Sequence, residues 1–153
     1  MEQKHDVALI GYGYWGKKLF SYLRESEQFN LCYVQLRRLE GWDVGDILRE
    51  YGPEFVSSLE TIWSDEAVQS VVIATPIDTH FELALEALSR GKHVLVEKPL
   101  VLSKGEVWLL RRTAAAGKLC LMTDFTWTFS EGLQHAQQRL VTEAPDLSPV
   151  LIV

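Results

Sequence analysis

At 153 residues, with 47% hydrophobic and 24% charged side chains, the chain has the balance of a globular domain long enough to bury a core without metal or disulfide staples. Its net charge of −6, with basic residues in short pairs such as Lys17-Lys18, Arg37-Arg38 and Arg111-Arg112, argues against a general nucleic-acid binder. The apolar runs are broken well before the roughly 18 residues of a membrane span, and the polar opening Met1-Glu2-Gln3-Lys4-His5-Asp6 is no signal peptide, so no membrane partner and a cytoplasmic location are expected.

Val7 to Ile10 is a short apolar run that ends at glycine, the pattern of a buried parallel strand feeding a tight turn. Beyond Gly16, Leu19, Phe20, Tyr22 and Leu23 recur on one helical face, and Phe29 to Leu36 reads as a second strand. The stretch from Arg37 to Pro53, punctuated by Gly41, Gly45 and Gly52, reads as a loop with one helix around Ile47, Leu48 and Tyr51. Phe55 and Val56 form a brief strand, and Ser58 caps a helical turn through Trp63.

Ser70 to Pro76 is β-branched and ends at a proline, hence a buried strand followed by a loop. An amphipathic helix from Thr79 ends near Gly91, His93 to Val96 is the next strand, and Glu97-Lys98-Pro99 stands at its end. Ser103 to Ala116 is a helix with Gly117 behind it, and Lys118 to Met122 is a strand. Gly132 to Leu140 is a helix candidate, Pro145 to Pro149 a linker, and Val150 to Val153 the start of a fresh strand. The alternation of strand and helix predicts an α/β fold, a doubly wound parallel sheet over residues 1–124 with a linker and helix over 125–153.

Gly11-Tyr12-Gly13-Tyr14-Trp15-Gly16 fits the G-x-G-x-x-G pattern, in which glycines permit a tight turn, close approach of backbone to a pyrophosphate, and close packing of helix on strand. The alternative is a glycine turn with no ligand, and the flanking strand and helix favour the dinucleotide. A carboxylate about 20 residues further on would accept from the ribose of NAD. The segment instead reads Val34-Gln35-Leu36-Arg37-Arg38. Guanidinium groups pair with a 2′-phosphate, so the cofactor expectation is NADP or NAD with a lean to NADP, unless Arg37 and Arg38 are simply solvated.

Lys98, at the carboxyl end of a strand, is a candidate for holding a substrate hydroxyl and moving its proton, against the common alternative of a surface charge. His80, one turn into its helix, either faces the cofactor or has no role. Trp127 is the tryptophan best placed to line a site. Cys32 and Cys120 lie in apolar segments and are expected to be buried and reduced. The histidines form no cluster of metal-ligand spacing, so no metal site is expected, and no nucleophile elbow occurs.

GYGYWG near the start, VVIATPIDTH in the middle and GKHVLVEKPL after it occur in the order and spacing of one family. From about Val7 to about Leu140 the chain resembles the N-terminal domain of the glucose-fructose oxidoreductase and inositol dehydrogenase family, Gfo/Idh/MocA. The resemblance implies an NAD(P)-dependent oxidoreductase that moves hydride between nicotinamide and a hydroxyl-bearing carbon of a sugar, cyclitol or sugar nucleotide. It implies that Gly11, Gly13, Tyr14, Trp15 and Gly16 cradle the pyrophosphate, that Ala74, Thr75, Pro76 and His80 line the ribose and nicotinamide side with Glu97 nearby, and that Lys98 is the catalytic lysine.

Two departures stand out. The acidic residue common at the end of the second strand is missing, and the second α+β domain, with its substrate-binding sheet and proton-transferring histidine, has no room here. The chain is therefore expected to be the cofactor-binding half of such an enzyme, weak or inactive in turnover by itself, and prone through its sheet edge and apolar tail to form a homo-oligomer. The alternative reading is a non-catalytic dinucleotide sensor or oligomerisation module.

Overall fold

A computed structural model describes residues 4–37 and 52–143. The described residues up to Thr123 form one compact unit and those from Asp124 a second. The elements in chain order are β1 (His5–Ile10), α1 (Tyr14–Glu25), β2 (Phe29–Gln35), β3 (Glu54–Val56), α2 (Leu59–Ser64) and β4 (Ser70–Ile73). There follow a 3-10 turn (Ile77–Thr79), α3 (His80–Ser89), β5 (His93–Glu97), α4 (Lys104–Gly117), β6 (Leu121–Asp124), a second 3-10 turn (Thr126–Phe129) and α5 (Glu131–Glu143).

The strands make one six-stranded sheet in the order β3-β2-β1-β4-β5-β6. β1 pairs in parallel with β2 and β4, β2 with β3, and β4 with β5. The order runs outward from β1 on one side and then crosses back to β4 on the other, which is the doubly wound arrangement expected from the alternation of elements. Its physical cause is visible in β1, where successive side chains point to opposite faces. Ala8 and Ile10 join Val71, Ile73, Val94 and Val96 beneath Ala84, Ala87 and Leu88 of α3 and Leu110 of α4. Val7 and Leu9 join Leu31, Val34 and Val72 against Phe20 of α1. A strand buried on both faces has to be apolar throughout, so β1 reads as a run instead of an alternation.

Helix ends follow the expected chemistry with one shift. Ser58 accepts from the Glu60 amide at the start of α2, and Ser103 and Glu106 form a reciprocal capping box at the start of α4. At the end of α3 the Gly91 amide donates to Leu88 O (3.1 Å), with Gly91 at φ +76°. At the end of α4 the left-handed residue is Lys118 (φ 55°), not Gly117, and the Leu119 amide returns to Ala114 O (2.8 Å). This closing turn consumes the residues expected to open the last strand, so β6 begins at Leu121.

Lys92 is buried, and its Nζ donates to Asp65 O (2.8 Å) and Val68 O (2.9 Å), closing the carboxyl end of α2. Burial lowers its pKa. The cysteines depart from expectation: Cys32 is half-buried and Cys120 exposed. Burial, followed by the Asp6 carboxylate, pushes the Cys32 thiol up to about 11.

In the folded chain that thiol keeps its proton at pH values where an unfolded thiol, with a pKa near 8.5, has lost it. Its contribution to stability is therefore full below about pH 8.5 and is lost as pH rises through about 11. Solvent screening reduces the contribution to about 1 kcal/mol. Cys32→Ala is expected to flatten the alkaline fall of Tm relative to the native chain; equal slopes in thermal melts across that window would contradict the assignment. Lys92 acts with the opposite sign in both proteins, so it cancels from the difference.

In the second unit the Ser130 amide donates to Trp127 O (3.1 Å), and the Gln134 side chain donates to Thr128 O (3.0 Å), tying the 3-10 turn to α5. Trp127 is exposed there. The residues expected to form a linker and a fresh strand, from Pro145 onward, lie outside the described residues. No helix among the described residues is long and apolar enough to cross a membrane, and no group of three His, Cys, Asp or Glu among them could hold a metal ion.

Candidate functional site: the groove at the reversal of strand order

The carboxyl end of β1 is stitched to both neighbours. The Ala74 amide donates to Ile10 O (2.8 Å) and the Gly11 amide to Gln35 O (2.9 Å). Above this junction, where connections leave in opposite directions, a groove of about 700 Å³ opens. Ligands of open α/β sheets sit in such a crevice.

The three glycines of the turn do three different things. Gly11 has φ +97°, and a Cβ there would lie 2.5 Å from the Ala74 carbonyl oxygen and 2.9 Å from Thr75 Cγ2. Gly16 is buried, and a Cβ there would run into the carbonyl oxygen of Gly11. Both are demanded by the fold. Gly13 is not: its φ of −79° suits any residue, and a Cβ there would meet nothing within 4 Å. It is the N-cap of α1, makes no side-chain cap, and is followed by a first turn without an acidic residue. The opening amides of that helix therefore receive no carboxylate or hydroxyl from the cap residue or an acidic first turn.

Of the residues singled out in the sequence, Gly11, Gly13, Arg37, Ala74, Thr75 and Pro76 line the groove. Tyr14 and Trp15 do not: their rings project into solvent, where Lys18 Nζ lies 4.7 Å over the Tyr14 ring and 4.4 Å over the Trp15 ring. Only their backbone belongs to the turn. Arg38 lies outside the described residues. Ile10, Tyr12, Gln35 and Leu36 also line it, and Leu59, Thr79, Glu82 and Leu83, none of them among the expected site residues, complete the wall. Thr79, Glu82 and Leu83 follow helical spacing, i to i+3 and i+4, which was the available signal.

His80 does not face the groove. It is 1% exposed, with Nδ1 3.0 Å from Pro99 O and Nε2 2.9 Å from Thr75 O. It is the first residue of its helix, and its ring is held between those two carbonyls. Glu97 is buried at the end of β5, and its carboxylate accepts from the Lys98 amide (3.2 Å). Lys98 itself is exposed, one strand beyond β4, a step of about 4.8 Å across a sheet. Neither Glu97 nor Lys98 lines the groove wall.

Strand order, glycine turn and groove together define a domain of the NAD-binding Rossmann class. The chain belongs to the Gfo/Idh/MocA oxidoreductase family, whose NAD-binding Rossmann-fold model matches residues 5–125.

It is 37% identical over 105 residues to the uncharacterized oxidoreductase YhhX of Escherichia coli K12, covering 61% of this chain and 27% of that protein. It is 29% identical over 110 residues to scyllo-inositol 2-dehydrogenase (NADP(+)) IolW of Bacillus subtilis, covering 71% of this chain and 29% of the relative. Among solved structures it is similar to GenD2 from gentamicin A biosynthesis in complex with NAD, with 29% identity, a TM-score of 0.81, and coverage of 90% of this chain and 39% of the other. The chain thus spans less than a third of the length of either curated relative.

Proposed function

We propose that this chain is the dinucleotide-binding part of an NAD(P)-dependent dehydrogenase acting on a hydroxyl of a sugar, cyclitol or sugar nucleotide. One observation carries the reading: Gly13 lacks a side chain that the fold has room for. A glycine that folding does not require, at the uncapped start of α1 and on the wall of a groove, leaves its backbone open to a ligand. The residues present therefore fit a dinucleotide.

The turn from Gly11 to Gly16 would hold the pyrophosphate on backbone amides, and Leu59 and Leu83 would give apolar surface to the base, with Glu82 as an acceptor for an exocyclic amine. Ala74, Thr75 and Pro76 would face the ribose and nicotinamide side. The nicotinamide, when bound, accepts or delivers the hydride. Lys98 would hold the substrate hydroxyl and take or return its proton, with its backbone braced by Glu97. The relative that acts on scyllo-inositol with NADP(+) supports a polyhydroxylated substrate and the lean to NADP.

Arg37, exposed on the groove wall at the end of β2, would meet the 2′-phosphate. A hydrogen bond to a charged group contributes about 1.5–3 kcal/mol, or roughly ten- to a hundredfold in affinity. Arg37→Asp is expected to weaken NADPH by about that factor while leaving NADH within about threefold. Titration of both nucleotides followed by tryptophan fluorescence tests it; tighter NADH than NADPH in the unmodified chain would end the NADP assignment, and no binding of either would end the proposal.

A further inference from the structure

The parallel ladder between β4 and β5 ends at the pair Ile73 and Val96. Beyond it the two chains continue as loops that carry Thr75 and Pro76 on the groove wall and Lys98 and Pro99 on the other side. Neither Pro76 nor Pro99 has an N–H, so backbone alone cannot extend the ladder through them. His80 stands between these loops. Its two ring nitrogens lie 2.9 Å from Thr75 O and 3.0 Å from Pro99 O, and both partners are carbonyl oxygens that only accept.

We infer that His80 is a positioning residue whose buried ring holds the Lys98 loop against the Thr75 loop, donating its N–H to the carbonyl of one and packing against the carbonyl of the other. This rests on the reading that the groove and Lys98 serve one site. Packing alone does not account for an imidazole here. An apolar side chain of similar volume would fill the space and leave a carbonyl between the loops without this donor. A neutral imidazole has one N–H, so each tautomer donates to one loop, and a single donor at this position holds one side of the tie. On the far side the Glu97 carboxylate accepts from the Lys98 amide, so the Lys98 backbone is held before and after the residue. Thr79, immediately before His80, adds to the first loop: its amide donates to Pro76 O (3.0 Å) and its hydroxyl lies 2.7 Å from Thr75 Oγ1. The catalytic candidate is thereby referenced to the cofactor groove through one side chain and not through the long connection of α3.

The test needs no nucleotide, so its outcome is separate from that of the titrations above. Amide hydrogen exchange is measured by NMR on the whole chain and on His80→Leu and His80→Gln. In His80→Leu the Thr79 and Lys98 amides are expected to exchange about tenfold faster while those of Ala8 to Ile10 keep their protection, and Gln, whose side-chain NH2 can donate in place of the ring N–H, should recover the loop it reaches. Unchanged exchange at Thr79 and Lys98, a fall shared equally with the sheet, or identical behaviour of the two variants would overturn the inference. If His80→Leu does not fold, the unmodified ring decides: imidazole nitrogen–proton spectra should show a ring N–H protected from solvent exchange, and a ring without one removes the tie.

Discussion

Gly13→Val is expected to leave the fold standing and to weaken dinucleotide binding about a hundredfold, whereas Gly11→Ala and Gly16→Ala are expected to damage the fold itself. At Gly13 nothing lies within 4 Å of a new Cβ, so the structural cost is that of a poorer helix cap, about 1 kcal/mol. The added atoms enter the space into which a pyrophosphate would settle, and NADPH affinity should fall by about a hundredfold, equivalent to about 2.7 kcal/mol. At Gly11 a side chain would be held at φ +97° and pressed on the Ala74 carbonyl; strained backbone and overpacking each cost about 1–3 kcal/mol, a large part of a domain's roughly 5–15. At Gly16 the obstacle is the Gly11 carbonyl, and backbone cannot move aside as a side chain can. Thermal melts and NADPH titrations of the three variants separate the two kinds of glycine. Wild-type affinity in Gly13→Val would remove the main support for the proposed function.

Lys98→Ala should leave nucleotide binding within about twofold and remove turnover. The lysine is exposed at the end of β5 and is not part of the groove wall, so the cofactor's own contacts are untouched. Positioned proton transfer contributes about 10²–10⁴-fold to a rate. With the second domain that the family resemblance implies supplied as a fusion, kcat should fall by about that factor. A sensor or oligomerisation module predicts otherwise: no turnover with Lys98 present, and no measurable consequence of its removal beyond binding. Steady-state assays of the fusion with and without the substitution decide between them.

Most of the fold was legible because its signals are local. Apolar runs ending at glycine or proline marked β1 and β4, and Ser58, Ser103 and Gly91 marked helix ends where capping chemistry requires them. The shift of the left-handed position from Gly117 to Lys118 was not legible, since a helix C-terminus is set by where its chain must next go. Groove residues that follow their own strand, such as Gly11, Arg37 and Thr75, were found from motif position. Leu59, Glu82 and Leu83 were not, because no motif contains them and they reach the groove only through crossover helices.

The amino-acid sequence by itself determined that strands and helices alternate, that the turn after β1 must be glycine-rich, and that acidic and basic residues stand where they do at strand ends. Periodicity and steric limits act over a few residues and need no partner to be read. Only the tertiary structure decided which glycine serves folding and which leaves room, because the difference lies in what each missing Cβ would meet: Ala74 for Gly11, the Gly11 carbonyl for Gly16, and nothing for Gly13. It also decided that Tyr14 and Trp15 turn outward, and that His80 faces two carbonyls 2.9 and 3.0 Å away instead of a ligand. The contacts of Gly11 with Ala74 and of His80 with Pro99 join residues far apart in the chain, brought close by packing of the sheet, and contacts of that kind have no signature in a local pattern.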